Sequence, residues 1–234
     1  MPSFTYPGTP EFPHQFTAFA GLQSRGGAYT SQNSSSPSDG TVNVEVQGET
    51  DAEHGITPEQ LAALQYLTEH PTEVRSALFA ALAEEYPKLK EQYGLDPDDP
   101  EMLEWFPEVR EPADFARVFG VGNLFVLEEH HDGLAYLGLE CGCTWDDEHG
   151  LGFVLHRDRV IEVGQADTAF SPWPARKDIE RLSGVGEDQP SIVAMEENVE
   201  GLTEFIQDAA ALQSAAREKL EEVRRGKRWW EFWK

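Results

Sequence analysis

The feature that most constrains this chain is a change of hydrophobic period at Gly122. Beyond that point apolar residues recur at every second position, as in strands with one buried face. Asn123–Glu129 reads as a strand, closed by the turn chemistry of His131-Asp132-Gly133. In Leu134–Trp145 the residues Ala135, Leu137, Leu139, Cys141, Cys143 and Trp145 share one face, while Tyr136, Gly138, Glu140, Gly142 and Thr144 share the other. Asp146–Gly150 connects to a strand at Leu151–His156, and Arg157-Asp158 turns into a closing strand at Arg159–Val163. Four strands joined by such short connections form an antiparallel meander.

An apolar sheet face needs a cover, and the chain upstream supplies one. Thr57 fits a helix N-cap, Pro58 the first helical position, and Gln60 closes a capping box. Ile56 and Leu61 are spaced as a hydrophobic staple. Leu61, Leu64 and Leu67 form an apolar stripe, Pro71 breaks and restarts the helix, and Val74, Leu78, Leu82 and Tyr86 continue until Pro87. The expected class is therefore α+β: an antiparallel β-meander packed against a helical hairpin, with a C-terminal amphipathic helix.

The flanks divide by composition. Residues 1–14, with Pro2, Pro7, Pro10 and Pro13, read as a flexible N-terminal tail, and 15–175 as the α+β domain. Two further strands are expected at Phe16–Gln23 and Thr41–Gln47, the second from the alternation of Val42, Val44 and Val46. Asp96–Trp105 reads as a surface connection and Pro112–Phe119 as a short helix. Residues 176–195 read as a linker, 196–226 as the amphipathic helix marked by Leu202, Phe205, Ile206, Ala209 and Leu212, and 227–234 as a basic and aromatic tail.

Charge narrows the function classes. The chain has 43 acidic against 18 basic residues, a net charge of -25. Such a surface repels phosphate backbones, which excludes ordinary nucleic-acid binding. Its bland reading is solubility, and its sharper one is an acidic surface that captures a basic protein such as a toxin. Glu84, Glu85, Asp98, Asp99 and Glu101 are the carboxylates expected to steer that partner. The N-terminus lacks a basic region followed by an apolar run, and no stretch of about 18 apolar residues occurs. Two cysteines one residue apart point the same way on a strand and make a poor disulfide. A cytoplasmic protein is expected.

Two segments carry the chemistry worth weighing. Cys141 and Cys143, with His149 nearby, are candidate metal ligands, yet their spacing is short for zinc and both fall on the apolar face. They are expected to be small buried hydrophobes, with no metal and no cofactor bound. The run Trp145, Asp146, Asp147, Glu148 and His149 is the candidate functional loop. It reads as a structural turn, as a binding surface, or as a site where Glu148 and His149 act as acid and base or Asp146 and Glu148 hold a hard cation. No residue is assigned a catalytic role. His130 and His131 read as exposed turn residues. Trp229, Trp230, Phe232 and Trp233 among the last basic residues suit a groove on another protein or a membrane interface, or fold back on the body.

The run Cys141-x-Cys143-x-Trp145-x-x-Glu148-His149-Gly150-Leu151, followed by Arg159–Gly164, resembles the signature of a bacterial family, domain of unknown function 6985. Thr57-Pro58-Glu59-Gln60 with the Leu- and Ala-rich helix after it, and Ala20–Arg25, are similar to the same family, so the resemblance covers about residues 15–170. It implies a family label and no catalytic role. Proteins of this sort also resemble the small acidic α+β immunity proteins found beside bacterial toxins. The expected function is a non-enzymatic acidic binding protein, of the immunity type. The alternatives are a hydrolase or metal-dependent enzyme at Asp146–His149 and a membrane-peripheral adaptor working through the Trp-rich C-terminus.

Overall fold

The computed structural model describes residues 4–24, 34–48, 55–94, 96 and 98–184. Its strands are Glu11–Gln15 (β1), Gln23–Ser24 (β2), Ser34–Pro37 (β3), Thr41–Val46 (β4), Phe119–His131 (β5), Leu134–Cys143 (β6), Leu151–His156 (β7) and Arg159–Gly164 (β8). Its helices are Pro58–Glu69 (α1), Pro71–Gln92 (α2), Pro100–Trp105 (α3) and Trp173–Leu182 (α4), with 3-10 turns at Thr17–Phe19, Pro112–Arg117 and Ala166–Phe170.

Asp132 and Gly133 both take positive φ, 49° and 76°, so β5 folds straight back as β6. With β7 and β8 they make the expected antiparallel meander. The class is α+β, with a six-stranded sheet in the order β1-β4-β5-β6-β7-β8. The sheet is mixed rather than purely antiparallel. β4 runs parallel to β5, because the two are joined by the α1–α2 excursion and not by a turn.

Two N-terminal expectations need correction. The first strand is Glu11–Gln15, all but its last residue in the segment read as a tail, and it pairs antiparallel with β4. Phe12 is buried between exposed Glu11 and Pro13, and an edge strand tolerates the proline. Where a strand was expected at Phe16–Gln23 there is a 3-10 turn and the two-residue β2. Phe16, Phe19 and Leu22 are all buried, so the inward spacing there is three, not two.

α1 and α2 cover one sheet face. The Thr57–Gln60 capping box forms as read. Leu61, however, is exposed at 38%, and Gln60 turns inward instead. Its amide donates to the carbonyls of Gln47 at 2.8 Å and Leu127 at 3.2 Å, so the cap residue also ties helix to sheet. α2 does not stop at Pro87 but runs on to Gln92. Proline removes one backbone donor, and the packing of Tyr86, Leu89 and Tyr93 on the core outweighs that loss. The expected surface connection before Trp105 contains the short α3.

The opposite sheet face is also covered, over β6 to β8. The turn at Ala166–Phe170 lies against Gly138, Gly152 and Gly164, where a Cβ would overlap the Ala169 carbonyl, the Gln165 carbonyl and the Thr168 side chain. α4 packs beside it, and Ala169 and Ala175 join Leu127, Tyr136 and Val154 in a second small core. Residues 176–182 therefore belong to the folded body, where the sequence reading began a linker. The helix expected at 196–226 and the tail at 227–234 lie outside the described residues.

Candidate functional site

The loop singled out by sequence leaves the end of β6 with Trp145 pointing inward. Trp145 is 5% exposed, stacked on Phe106 with centroids 5.8 Å apart and edge-on to Tyr86 at 5.6 Å. Asp146 follows with its carboxylate in use. It accepts the Tyr93 hydroxyl at 2.6 Å on Oδ2 and the His149 backbone N–H at 2.8 Å on Oδ1, with His149 Nδ1 3.2 Å away. Burial pulls this carboxyl upward, and the hydrogen bonds from Tyr93 and His149 outweigh it, holding the group below the usual range. The Tyr93 hydroxyl is pushed up, by burial first and by Asp146 second. Gly150 closes the loop at φ 64°, and the His149 carbonyl accepts the Ala166 N–H at 2.9 Å. The segment thus joins the end of α2 to the turn on the other sheet face. Trp145 and Asp146 are structural anchors, whereas Asp147, Glu148 and His149 are exposed. Tyr93 was missed by sequence because it lies beyond Pro87, where the helix was expected to end.

This division has a measurable consequence. Asp146→Ala is expected to cost about 2 kcal/mol, from two hydrogen bonds to a charged acceptor, the one from Tyr93 half-buried. Glu148→Ala is expected to change stability by less than about 0.5 kcal/mol. Urea denaturation of both variants checks this, and equal losses would contradict the division.

Residues 28–170 match the family model described as Domain of unknown function (DUF6985). The chain belongs to the DUF6985 family. Within it, the DUF6985 match takes in β3 through the turn at Ala166–Phe170, including all three glycines beneath that turn, and leaves β1 and α4 outside. No curated protein and no solved structure matches the chain.

In this DUF6985 chain the cysteines are core residues. Cys141 and Cys143 form no disulfide and are buried at 0% exposure on the face covered by α1 and α2. Burial pushes the Cys141 thiol well up, with Cys143 and Glu140 adding to the effect, so it does not ionise readily. His149 faces solvent instead, and among the described residues no group of three His, Cys, Asp or Glu side chains converges to hold a metal ion. His130 is exposed, while the His131 carbonyl meets Nε2 of buried His156 at 2.9 Å. Among the described residues no helix is long and apolar enough to cross a membrane.

The acidic residues expected to steer a partner are only partly together. Glu84 and Asp98 are exposed, Glu85 pairs with Lys88 at 2.6 Å, Asp99 is half-buried, and the side chain of Glu101 lies outside the described residues. A tighter acidic group sits on the sheet itself, where sequence gave no sign of it. Glu11 of β1 stands directly opposite Glu45 of β4, on the face away from α1 and α2. The Glu45 carboxyl is raised by burial first, then by repulsion from Glu11 and from Glu140 of β6. Glu140 accepts the Asn123 amide at 2.6 Å. Only the strand pairing, with β4 placed between β1 and β5, brings these three together. Trp229, Trp230, Phe232 and Trp233 lie outside the described residues.

Proposed function

We propose that the chain is a non-enzymatic acidic binding protein of the cytoplasm that captures a basic partner, in the form of an immunity-type inhibitor of a basic toxin. The observation that carries this reading is the Glu11–Glu45 pair. Like charges directly opposite on neighbouring strands destabilise a sheet. Glu11, Pro13 and Gln15 of β1 and Thr41 and Asn43 of β4 are exposed around the pair, so the face is open to a protein surface. Lysine or arginine side chains of a partner would relieve the repulsion, and the net charge of -25 would speed their approach. The engagement of Asp146 by Tyr93 and His149 supports a binding role over acid–base chemistry at that loop.

The test couples stability to capture. Glu11→Gln with Glu45→Gln is expected to raise stability by about 0.2–1 kcal/mol, because a like-charge pair is removed. The same double variant is expected to lose most of its capture of an identified basic protein from the native host, and wild-type capture is expected to weaken as salt rises. Undiminished capture by the double variant sinks this surface. Recovery of no basic partner by the wild type sinks the function.

A further inference from the structure

A second site lies away from the acidic sheet face, between the C-terminal half of α2 and the segment 109–115. It is a cleft of about 340 Å³. Tyr86, Val109, Pro112 and Phe115 give it an apolar wall, and Pro87 stiffens one side. A volume of this size falls in the range of small-molecule sites, which combine apolar walls with a few placed polar groups.

Two of the three charged groups here are cationic, against the sense of the whole chain. The Lys90 ammonium hangs over the Tyr86 ring at 4.5 Å, and among the described residues it has no carboxylate partner. Arg110 stands on the same cleft. Its one ion pair among the described residues, with Glu108 at 2.7 Å, is between side chains 78% and 71% exposed, so it is worth little and yields readily to a competing anion. Glu111 also lines the cleft; its backbone carbonyl accepts the Asp114 N–H at 2.9 Å and its own N–H donates to the Asp114 carboxylate at 3.3 Å. Two cations, Lys90 and Arg110, therefore stand with one carboxylate, Glu111, beside an apolar wall in a protein of charge -25.

We infer that this cleft binds a small organic carboxylate with an aromatic or bulky apolar body. The apolar wall requires the body, and Lys90 and Arg110 require the anion. The net negative charge of the chain adds a filter, since a bare inorganic anion meets general repulsion with no apolar burial to offset it. This site is independent of the acidic sheet face.

The probe is naphthalene-2-carboxylate, titrated into the full chain and followed by isothermal calorimetry and backbone amide shifts. Saturable binding is expected with a Kd at or below about 1 mM. The shifts should centre on Lys90 and residues 109–115. Naphthalene-2-carboxamide is expected to bind about tenfold more weakly, Lys90→Met to weaken the carboxylate about tenfold, and inorganic phosphate not to bind at all. Lys90→Met keeps an apolar stem over Tyr86. Arg110→Gln, at an exposed position, supplies a second variant that should also weaken binding. Equal binding of acid and amide, unchanged affinity in both variants, shifts centred elsewhere, or no saturation would each overturn the inference. A peptide ending in a free phenylalanine carboxylate that bound more than about tenfold tighter would overturn it too, by making the occupant a chain end.

Discussion

Replacing Gly138 by alanine is expected to lower the stability of the chain by about 3 kcal/mol or more, at the upper end of what overpacking costs. Gly138 lies on β6 facing the turn at Ala166–Phe170, and a Cβ there would overlap the carbonyl of Ala169. The obstacle is backbone, so no side chain can swing aside. Either the sheet or the turn must move. Moving the turn lifts Ala169 out of the second core, where it packs with Leu127, Tyr136, Val154 and Ala175. Phe170, whose ring meets Phe125 edge-on at 5.4 Å, would move with it. Gly152→Ala should behave similarly, since its Cβ would meet the Gln165 carbonyl. Urea denaturation of each variant is the measurement. A loss under about 1 kcal/mol for Gly138→Ala would mean that the turn is not seated on the glycines.

These glycines show where sequence reasoning stopped. The alternation through β6 sorted Ala135, Leu137, Leu139, Cys141 and Cys143 onto the helix-covered face, and all five are buried. On the other face the same alternation gave Tyr136, Gly138 and Glu140, which reads as a solvated side. Tyr136 is in fact 0% exposed. Glycine leaves room for an approaching backbone but does not say which backbone fills it, so the turn at Ala166–Phe170 and α4 were invisible as a second layer. Helix starts were legible because Thr57, Pro58 and Gln60 act within one turn. The run of α2 beyond Pro87 was not, because tertiary packing decides whether a proline ends a helix. The functional loop divided the same way. That Asp146–Gly150 turns the chain follows from its residues, but that Asp146 is held by Tyr93 depends on a partner 53 positions away. The Glu11–Glu45 opposition depends likewise on a strand pairing that no local pattern encodes.

The last large effect concerns the charge that pins α4. Asp178 is 5% exposed, and its carboxylate accepts Arg159 through both oxygens at 2.8 and 2.6 Å, Arg181 at 2.8 Å and the Tyr136 hydroxyl at 2.8 Å. One side chain thus ties α4 to β8 and β6. Asp178→Asn is expected to cost about 2–4 kcal/mol. It removes charge-assisted hydrogen bonds and leaves two guanidiniums facing a neutral amide. The arginines are partly exposed, which lets water take up some of their loss and keeps the effect below that of a fully buried pair. The pH dependence follows from the direction of the shift. The hydrogen bonds from Arg159 are the largest cause, and with those from Arg181 and Tyr136 they outweigh burial and hold the carboxyl well below the usual range. The folded chain therefore resists protonation where the unfolded chain, near the ordinary value of about 3.9, accepts it. The contribution of Asp178 is present in full above that unfolded value and is lost as pH falls toward the folded one. The stability gap between wild type and Asp178→Asn should hold steady from pH 7 to about pH 5 and narrow below about pH 4. Urea midpoints for both proteins, followed down to the lowest pH at which both fold, measure that gap. A gap that stays constant across the acid range would show that the carboxylate is not held in its charged form by these partners.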